Sequence, residues 1–251
     1  MNSLWGHTGE IVGTEFNKNA GGDLICTVSM DRTTIIWSTE TAQEINNFRH
    51  EAEVISGHFN NEGTLVITGS FDRQAIVWDL RIKGPTHVLR GHEAELSNCI
   101  WNFPCNKIAT SSLDNSVCVW DLRNVKRPQF QMNHENEVLD VCFDYTGRIA
   151  SCSSDCTAKV WSLEGGLKLI STMEGHTDEV SKLTFSPNGR LLLTASADKT
   201  ARLWCVNDEM EKSICSQVLT GHDNEVFSCA FNYSADAILT ASKDNTCKIW
   251  R

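Results

Sequence analysis

The sequence predicts an all-β fold built from six repeated four-stranded units. Three observations predict it. Six tryptophans that close apolar runs, Trp37, Trp78, Trp120, Trp161, Trp204 and Trp250, follow one another at spacings of 41, 42, 41, 43 and 46. Six residues before each stands an aspartate (Asp31, Asp72, Asp114, Asp155, Asp198, Asp244), and two before that a serine (Ser29, Ser70, Ser112, Ser153, Ser196, Ser242). Upstream of each aspartate, by 21 to 24 residues, stands a histidine: His7, His50, His92, His134, His176 and His222. Such a fixed period marks a repeat array. The units run over about 1–43, 44–84, 85–126, 127–167, 168–212 and 213–251, in a single domain.

Each unit reads as strands and turns. Ile35-Ile36-Trp37, Ile76-Val77-Trp78 and Val117-Cys118-Val119-Trp120 are β-branched and aromatic, as strands are. Asn60-Asn61-Glu62-Gly63, Asp144-Tyr145-Thr146-Gly147 and Ser186-Pro187-Asn188-Gly189 are turn formers followed by glycine. The aspartate and the residues after it make the next tight turn. Thr86–Arg90, Gln129–Met132 and Lys168–Met173 supply a further strand ahead of a histidine. Four short antiparallel strands per unit, at this period and with Gly-His and Trp-Asp marks, are those of a β-propeller. The last unit ends in its third strand, and Ser3-Leu4-Trp5 is placed to pair with the strand that ends at Trp250.

Composition narrows the function. The balance of 22 basic to 32 acidic side chains, a formal charge of −10, excludes a protein built around a nucleic-acid backbone. No apolar run approaches a membrane helix, and no secretory signal is visible. The 11 cysteines contain no Cys-x-x-Cys, and several sit inside apolar runs; they read as buried, reduced thiols of an intracellular protein.

Ser, His and Asp in one unit resemble a hydrolase triad, but a catalytic set needs one exposed nucleophile, an oxyanion hole and a pocket, not six copies. The set His7, Ser29, Asp31, Trp37 and its equivalent His176, Ser196, Asp198, Trp204 read instead as a buried network, in which the histidine bonds the Asp and the Ser and the indole N–H bonds the same Ser. Histidines spread one per unit cannot converge on a metal, and no phosphate loop is present. No cofactor is expected.

Function is therefore expected on the faces. Three residues after each histidine comes a glutamate: Glu10, Glu53, Glu95, Glu137, Glu179 and Glu225. By register these begin the innermost strand on the face that carries the His loop and the Asp turn, here the upper face. Apolar residues accompany them: Val12, Ile55, Leu139 and Phe227 two positions on, with Met30, Phe71 and Leu113 just before the turn aspartates. Apolar anchors beside an electronegative ring form a protein-binding site for a basic segment. On the opposite, lower face, Arg81, Lys83, Arg123, Lys126 and Arg127 form a second, basic patch, and a longer loop over Val206–Ile214 carries Asp208, Glu209 and Glu211.

The marks resemble the WD-repeat family. Gly-His stands in repeats one, three, five and six, and Trp-Asp at Trp78-Asp79 and Trp120-Asp121. Within that family the segments 139–147, 196–204, 227–233 and 243–251 are similar to the outer-arm dynein assembly factors with WD repeats. That resemblance implies a non-enzymatic, monomeric adaptor of the cytoplasm and the cilium or flagellum, at the basal body and axoneme. Its partners would be outer-arm dynein subunits and intraflagellar transport components, with no nucleic acid and no membrane. Those proteins are longer, with a separate N-terminal part and additional repeats, so a shortened or incompletely closed ring is expected here. The alternative is a generic WD-repeat scaffold, as in a ubiquitin-ligase substrate receptor or a centriolar or ciliary complex.

Overall fold

The computed structural model describes residues 3–17, 22–82, 84–206 and 213–251. Lys83 and the acidic residues Asp208, Glu209 and Glu211 lie outside them. Among the described residues every regular element is a strand. Sheet one is β1 (Ile11–Phe16), β2 (Leu24–Ser29), β3 (Thr33–Ser38) and β4 (Glu44–Arg49). Sheet two is β5 (Val54–Phe59), β6 (Leu65–Ser70), β7 (Gln74–Asp79) and β8 (Pro85–Arg90). Sheet three is β9 (Leu96–Trp101), β10 (Lys107–Ser112), β11 (Ser116–Asp121) and β12 (Phe130–Asn133). Sheet four is β13 (Val138–Phe143), β14 (Ile149–Ser153), β15 (Thr157–Ser162) and β16 (Lys168–Glu174). Sheet five is β17 (Val180–Phe185), β18 (Leu191–Ser196), β19 (Thr200–Cys205) and β20 (Ile214–Thr220). Sheet six has three strands, β21 (Val226–Phe231), β22 (Ile238–Ser242) and β23 (Cys247–Trp250).

Ser3-Leu4-Trp5, expected to form a strand, does not: residues 3–7 belong to no strand. Five sheets are thus four-stranded and the sixth is not. The sheets are also offset from the sequence units by one strand. The outer strand of a sheet, such as β4, opens the next sequence unit, so every unit after the first straddles two sheets.

The chain divides into two compact units, residues 1–114 with 118–131 and residues 115–117 with 132–251. In each, the core lies between successive sheets. In the first unit Cys26, Val28 and Ile36 of sheet one meet Val54, Phe59, Val66 and Trp78 of sheet two. Ile67 and Val77 of sheet two meet Leu96, Cys99, Trp101 and Trp120 of sheet three. In the second unit Ala150, Cys152 and Val160 of sheet four meet Val180, Leu183 and Leu192 of sheet five. Leu193 and Ala195 of sheet five meet Val226, Cys229 and Ile238 of sheet six. Sheets two and five, each between two others of its unit, are apolar on both faces, and truncating such a buried Leu or Ile to Ala costs about 2–5 kcal/mol. Close approach also dictates Gly57: a Cβ there would lie 2.5 Å from the Val28 side chain.

The cysteines form no disulfide. Cys26, Cys99, Cys118, Cys152 and Cys229 are buried as expected, whereas Cys205 and Cys247 are exposed. Burial pushes the Cys99 thiol up to about 12 and raises Cys142 and Cys152 as well, so these act as small apolar groups.

Candidate functional site

The tight turn after each second strand is built the same way six times. The serine hydroxyl accepts from the N–H of the aspartate, at 3.0–3.3 Å. The residue after the aspartate takes positive φ: Arg32, Arg73, Asn115, Cys156, Lys199 and Asn245, at 65° to 70°. This is a three-residue hairpin loop whose last residue is left-handed. In four repeats the next residue, Thr33, Thr157, Thr200 or Thr246, bonds the carboxylate with its hydroxyl as well as its N–H.

The carboxylate then holds the histidine. His7, His92, His134, His176 and His222 place Nδ1 at 2.7–2.9 Å from Asp31, Asp114, Asp155, Asp198 and Asp244. Burial raises the Asp198 carboxyl, but the His176 and Thr200 hydrogen bonds outweigh it and hold it well below the usual carboxylate range. Asp155 is held down in the same way, against burial, by His134 and Thr157.

The hydroxyl partner of the histidine is not the predicted serine. His Nε2 lies 2.8–3.0 Å from Thr27, Thr68, Thr110, Ser151, Thr194 and Thr240, two residues earlier in the strand. The indole N–H of each closing tryptophan donates to the same oxygen, at 2.8–3.3 Å. A strand alternates its faces, so a residue two positions away shares the face, and the serine lies too near the turn to reach the indole. Ser29, Ser70 and their equivalents cap the turn instead. The signal was present: a Thr or Ser stands four residues before every repeat aspartate.

The six glutamates stand where expected, directly before β1, β5, β9, β13, β17 and β21. Each backbone carbonyl accepts from the residue preceding the turn aspartate, at 2.9–3.0 Å. That locks the start of the inner strand to the turn through the backbone, without using the glutamate side chain. Glu10 and Glu95 in the first unit, and Glu137 and Glu179 in the second, are exposed. The other two are less open: Arg32 lies 4.0 Å from Glu53, and Lys243 lies 3.0 Å from Glu225. Four of the six are thus exposed, and two have a basic neighbour.

The apolar companions have a structural cause. Every inner strand carries a β-bulge, and the extra residue is the second after the glutamate: Val12, Ile55, Ser97, Leu139, Ser181 and Phe227. A bulge turns its side chain away from the regular face of the sheet. Val12 and Phe227 are exposed, and Ile55 and Leu139 half-buried. Ser97 and Ser181 instead return their hydroxyls to Ser111 and to the carbonyls of Ala195 and Val226. Phe71 is exposed, and Met30 and Leu113 are half-buried.

The lower patch is weaker than its sequence. Arg81 grips Asp79 through Nε and Nη2 at 2.9 and 2.5 Å, and Arg123 grips Asp121 at 3.0 and 2.6 Å. The Trp-Asp aspartates thus cancel the arginines two residues on. Lys126 and Arg127 are exposed. Sequence reasoning missed two charged contacts of the inner strands. Glu15 accepts from the Phe59 N–H at 2.7 Å and lies 3.4 Å from His58. Asp140 accepts from Lys182 at 3.1 Å and from the Leu183 N–H at 3.2 Å. Both tie one inner strand to the next. Among the described residues no group of three or more His, Cys, Asp or Glu is placed to hold a metal, and no helix is long and apolar enough to cross a membrane.

Comparison with known proteins agrees with this construction. The family model "WD domain, G-beta repeat" matches residues 43–79, 83–121, 126–162, 167–205 and 213–251. The chain is 33% identical over 211 residues to pre-mRNA-splicing factor cwf17 of Schizosaccharomyces pombe, covering 80% of this chain and 61% of that one. It is 42% identical over 76 residues to nuclear distribution protein nudF 1 of Talaromyces marneffei, covering 29% and 17%. It is 37% identical over 82 residues to the WD repeat-containing protein WDS homolog of Arabidopsis thaliana, covering 32% and 16%. The chain spans at most 61% of the length of these relatives. Five model matches, together with the turn, histidine and tryptophan geometry repeated in the sheets, place the chain in the WD-repeat family, whose repeats serve as protein-interaction scaffolds.

Proposed function

We propose that the chain is a non-enzymatic adaptor that grips a Lys- or Arg-bearing protein segment with its upper face. The observation that carries this reading is the register of the glutamates. In each unit three stand directly before the inner strands, beside bulge residues that present Val12, Ile55, Leu139 or Phe227. Charge sets the association rate and its salt dependence, while the apolar side chains hold the complex. The partner set proposed is outer-arm dynein and the intraflagellar transport machinery, in the cytoplasm and the cilium. The support is the resemblance of segments 139–147, 196–204, 227–233 and 243–251 to dynein assembly factors with WD repeats. A second reading, a scaffold in a pre-mRNA-splicing complex, is favoured by the likeness to cwf17 along 80% of the chain.

Capture from ciliated-cell extract separates them. Three baits are compared, each first shown to melt like the parent: wild type, Glu95→Lys/Glu137→Lys/Glu179→Lys, and Arg123→Glu/Lys126→Glu/Arg127→Glu. Dynein or transport subunits on wild type, lost with the Glu→Lys bait, are the expected result. Capture unchanged by that bait overturns the upper-face assignment. Splicing proteins in place of dynein overturn the first partner set in favour of the second.

A further inference from the structure

The lower end of sheet three differs from those of its neighbours in the same unit. Two loops make it, residues 102–107 between β9 and β10 and residues 122–129 between β11 and β12. They hold Lys107, Arg123, Lys126 and Arg127 and no Asp or Glu, in a chain with 22 basic and 32 acidic residues. The corresponding loops of sheet one carry Asp23 and Glu40, and those of sheet two Glu62. Arg123 is spent on Asp121. Lys126 and Arg127 are exposed and, among the described residues, have no acidic partner.

The two loops form one fixed surface. The Leu122 N–H donates to the Asn106 carbonyl at 3.2 Å, and Lys107 Nζ bonds the Gln129 side chain. Asn102 ties the first loop together: its side-chain oxygen accepts from the N–H groups of Asn106 and Lys107, at 3.0 and 2.8 Å. Cys105, Leu122 and Val125 pack beneath, against the core of sheets two and three.

One large apolar side chain stands on that surface. Phe103 is 65% exposed, where the loop of sheet two has Asn61. Sheet two holds its backbone in place. The Asn61 side-chain amide donates to the Phe103 carbonyl, and the Asn61 N–H donates to Cys105 Sγ at 3.1 Å. Cys105 takes a left-handed φ of 54° at the position that Gly63 fills in sheet two. A loop that accepts this strain and keeps a bare phenyl ring rigid offers an anchor whose ordering cost is already met.

We infer that the lower end of sheet three docks an acidic protein segment that carries an apolar residue. Asp or Glu side chains of the segment meet Lys126 and Arg127, and its apolar side chain covers Phe103. Charge complementarity selects the partner: this is a basic spot on an acidic chain. Nucleic acid and anionic lipid have the matching sign, but their runs of phosphates call for more cations than two unpaired ones, and a chain of net charge −10 repels a polyanion. The surface is separate from the upper-face glutamates and takes a partner of opposite charge, so the two assignments stand or fall independently.

Selection from a random peptide library displayed on phage, with the whole chain as bait, tests this. A pool rich in Asp and Glu with a Leu, Ile or aromatic residue is expected. Lys126→Glu/Arg127→Glu and Phe103→Ala, each first shown to melt like the parent, should bind those peptides at least about tenfold more weakly. Wild-type affinity should fall as salt rises, and the slope should flatten in Lys126→Glu/Arg127→Glu. Glu95→Lys/Glu137→Lys/Glu179→Lys should bind the acidic pool as the parent does, because it alters the upper face alone. A selection that yields no acidic pool overturns the proposal. So does an acidic pool that either lower-face variant binds as tightly as wild type. Tighter binding to a single-stranded RNA oligonucleotide or to phosphatidylserine vesicles than to the best peptide overturns it as well.

Discussion

In the fifth repeat His176 stands between Asp198 and Thr194, each at 2.8 Å. In the second, His50 keeps Thr68 at 3.0 Å, but its Nδ1 is buried without a partner. Both repeats carry the same His, Asp, Thr and Trp. Two neighbours differ. Asp198 is oriented by the Thr200 hydroxyl and N–H, whereas Gln74 gives Asp72 only its N–H and turns its side chain to Arg90. Phe48 stacks on Trp78 with centroids 4.6 Å apart, and His50 sits 5.5 Å from Trp78, against 6.3 Å between His176 and Trp204. Glycine before the histidine does not decide the matter, because Asn133 precedes His134 and the bond to Asp155 is still made, at 2.9 Å. The difference teaches that the hydroxyl after the aspartate aims the carboxylate at the histidine.

The hydroxyl shared by histidine and indole is common to both repeats, so removing it should hurt both. Thr194→Val and Thr68→Val each strand an imidazole and an indole N–H, at about 1–3 kcal/mol per stranded buried group. Chemical denaturation should show similar losses for the two. A Thr68→Val protein as stable as the parent would break the equivalence.

Acid should separate them next. Burial lowers the His50 pKa to about 4 from an ordinary 6.5. Between those values the unfolded chain holds more protons, so the contribution of His50 is whole above pH 6.5 and is lost as pH falls towards 4. At about 1.4 kcal/mol per pKa unit the loss approaches about 3 kcal/mol. His92 has the opposite sign. Burial lowers it, but Asp114 and Cys118 outweigh burial and raise it to about 9. Its contribution is whole below pH 6.5 and is lost as pH rises through 9. His50→Phe should flatten the acid limb of stability against pH and leave the alkaline limb unchanged.

The aspartates should differ by less. Asp198→Ala leaves His176 Nδ1 and the Thr177 N–H without a partner, about 1–3 kcal/mol for the buried group. Asp72→Ala should cost less, since no histidine loses a bond. Thermal melts of equal depth for the two would contradict the comparison. Gln74→Thr should have the smallest effect. Supplying the missing hydroxyl should bring Asp72 onto His50, raise the His50 pKa in an NMR titration, and add about 0.5–1.5 kcal/mol. A His50 titration unchanged by Gln74→Thr would move the cause to the Phe48–Trp78 stack.

Much of the fold was legible because its signals are local. Turn formers, β-branched runs and the regular Trp spacing each act within a few residues, and they located strands such as β8, β12 and β16. Of the candidate site, the glutamates and the residues two positions on were found by spacing. That Val12, Ile55, Leu139 and Phe227 are bulge residues was not visible, because a bulge is a property of two paired strands. The pairing of Arg81 with Asp79 and Arg123 with Asp121 lay within three residues and could have been read. The serine stands nearer the aspartate than the threonine does, and nearness in sequence is a poor guide to reach across a strand.

By itself, then, the sequence determined the repeat, the four-strand order of the first five sheets, and the residue types of each hydrogen-bonded set. Those follow from backbone preference and side-chain alternation, which need no distant partner. Tertiary structure alone decided that Thr194 and not Ser196 meets Trp204, that Asp72 misses His50, and that Glu53 and Glu225 have basic neighbours. Each of these depends on distances of a few ångströms between segments far apart in the chain, and such distances are set by packing.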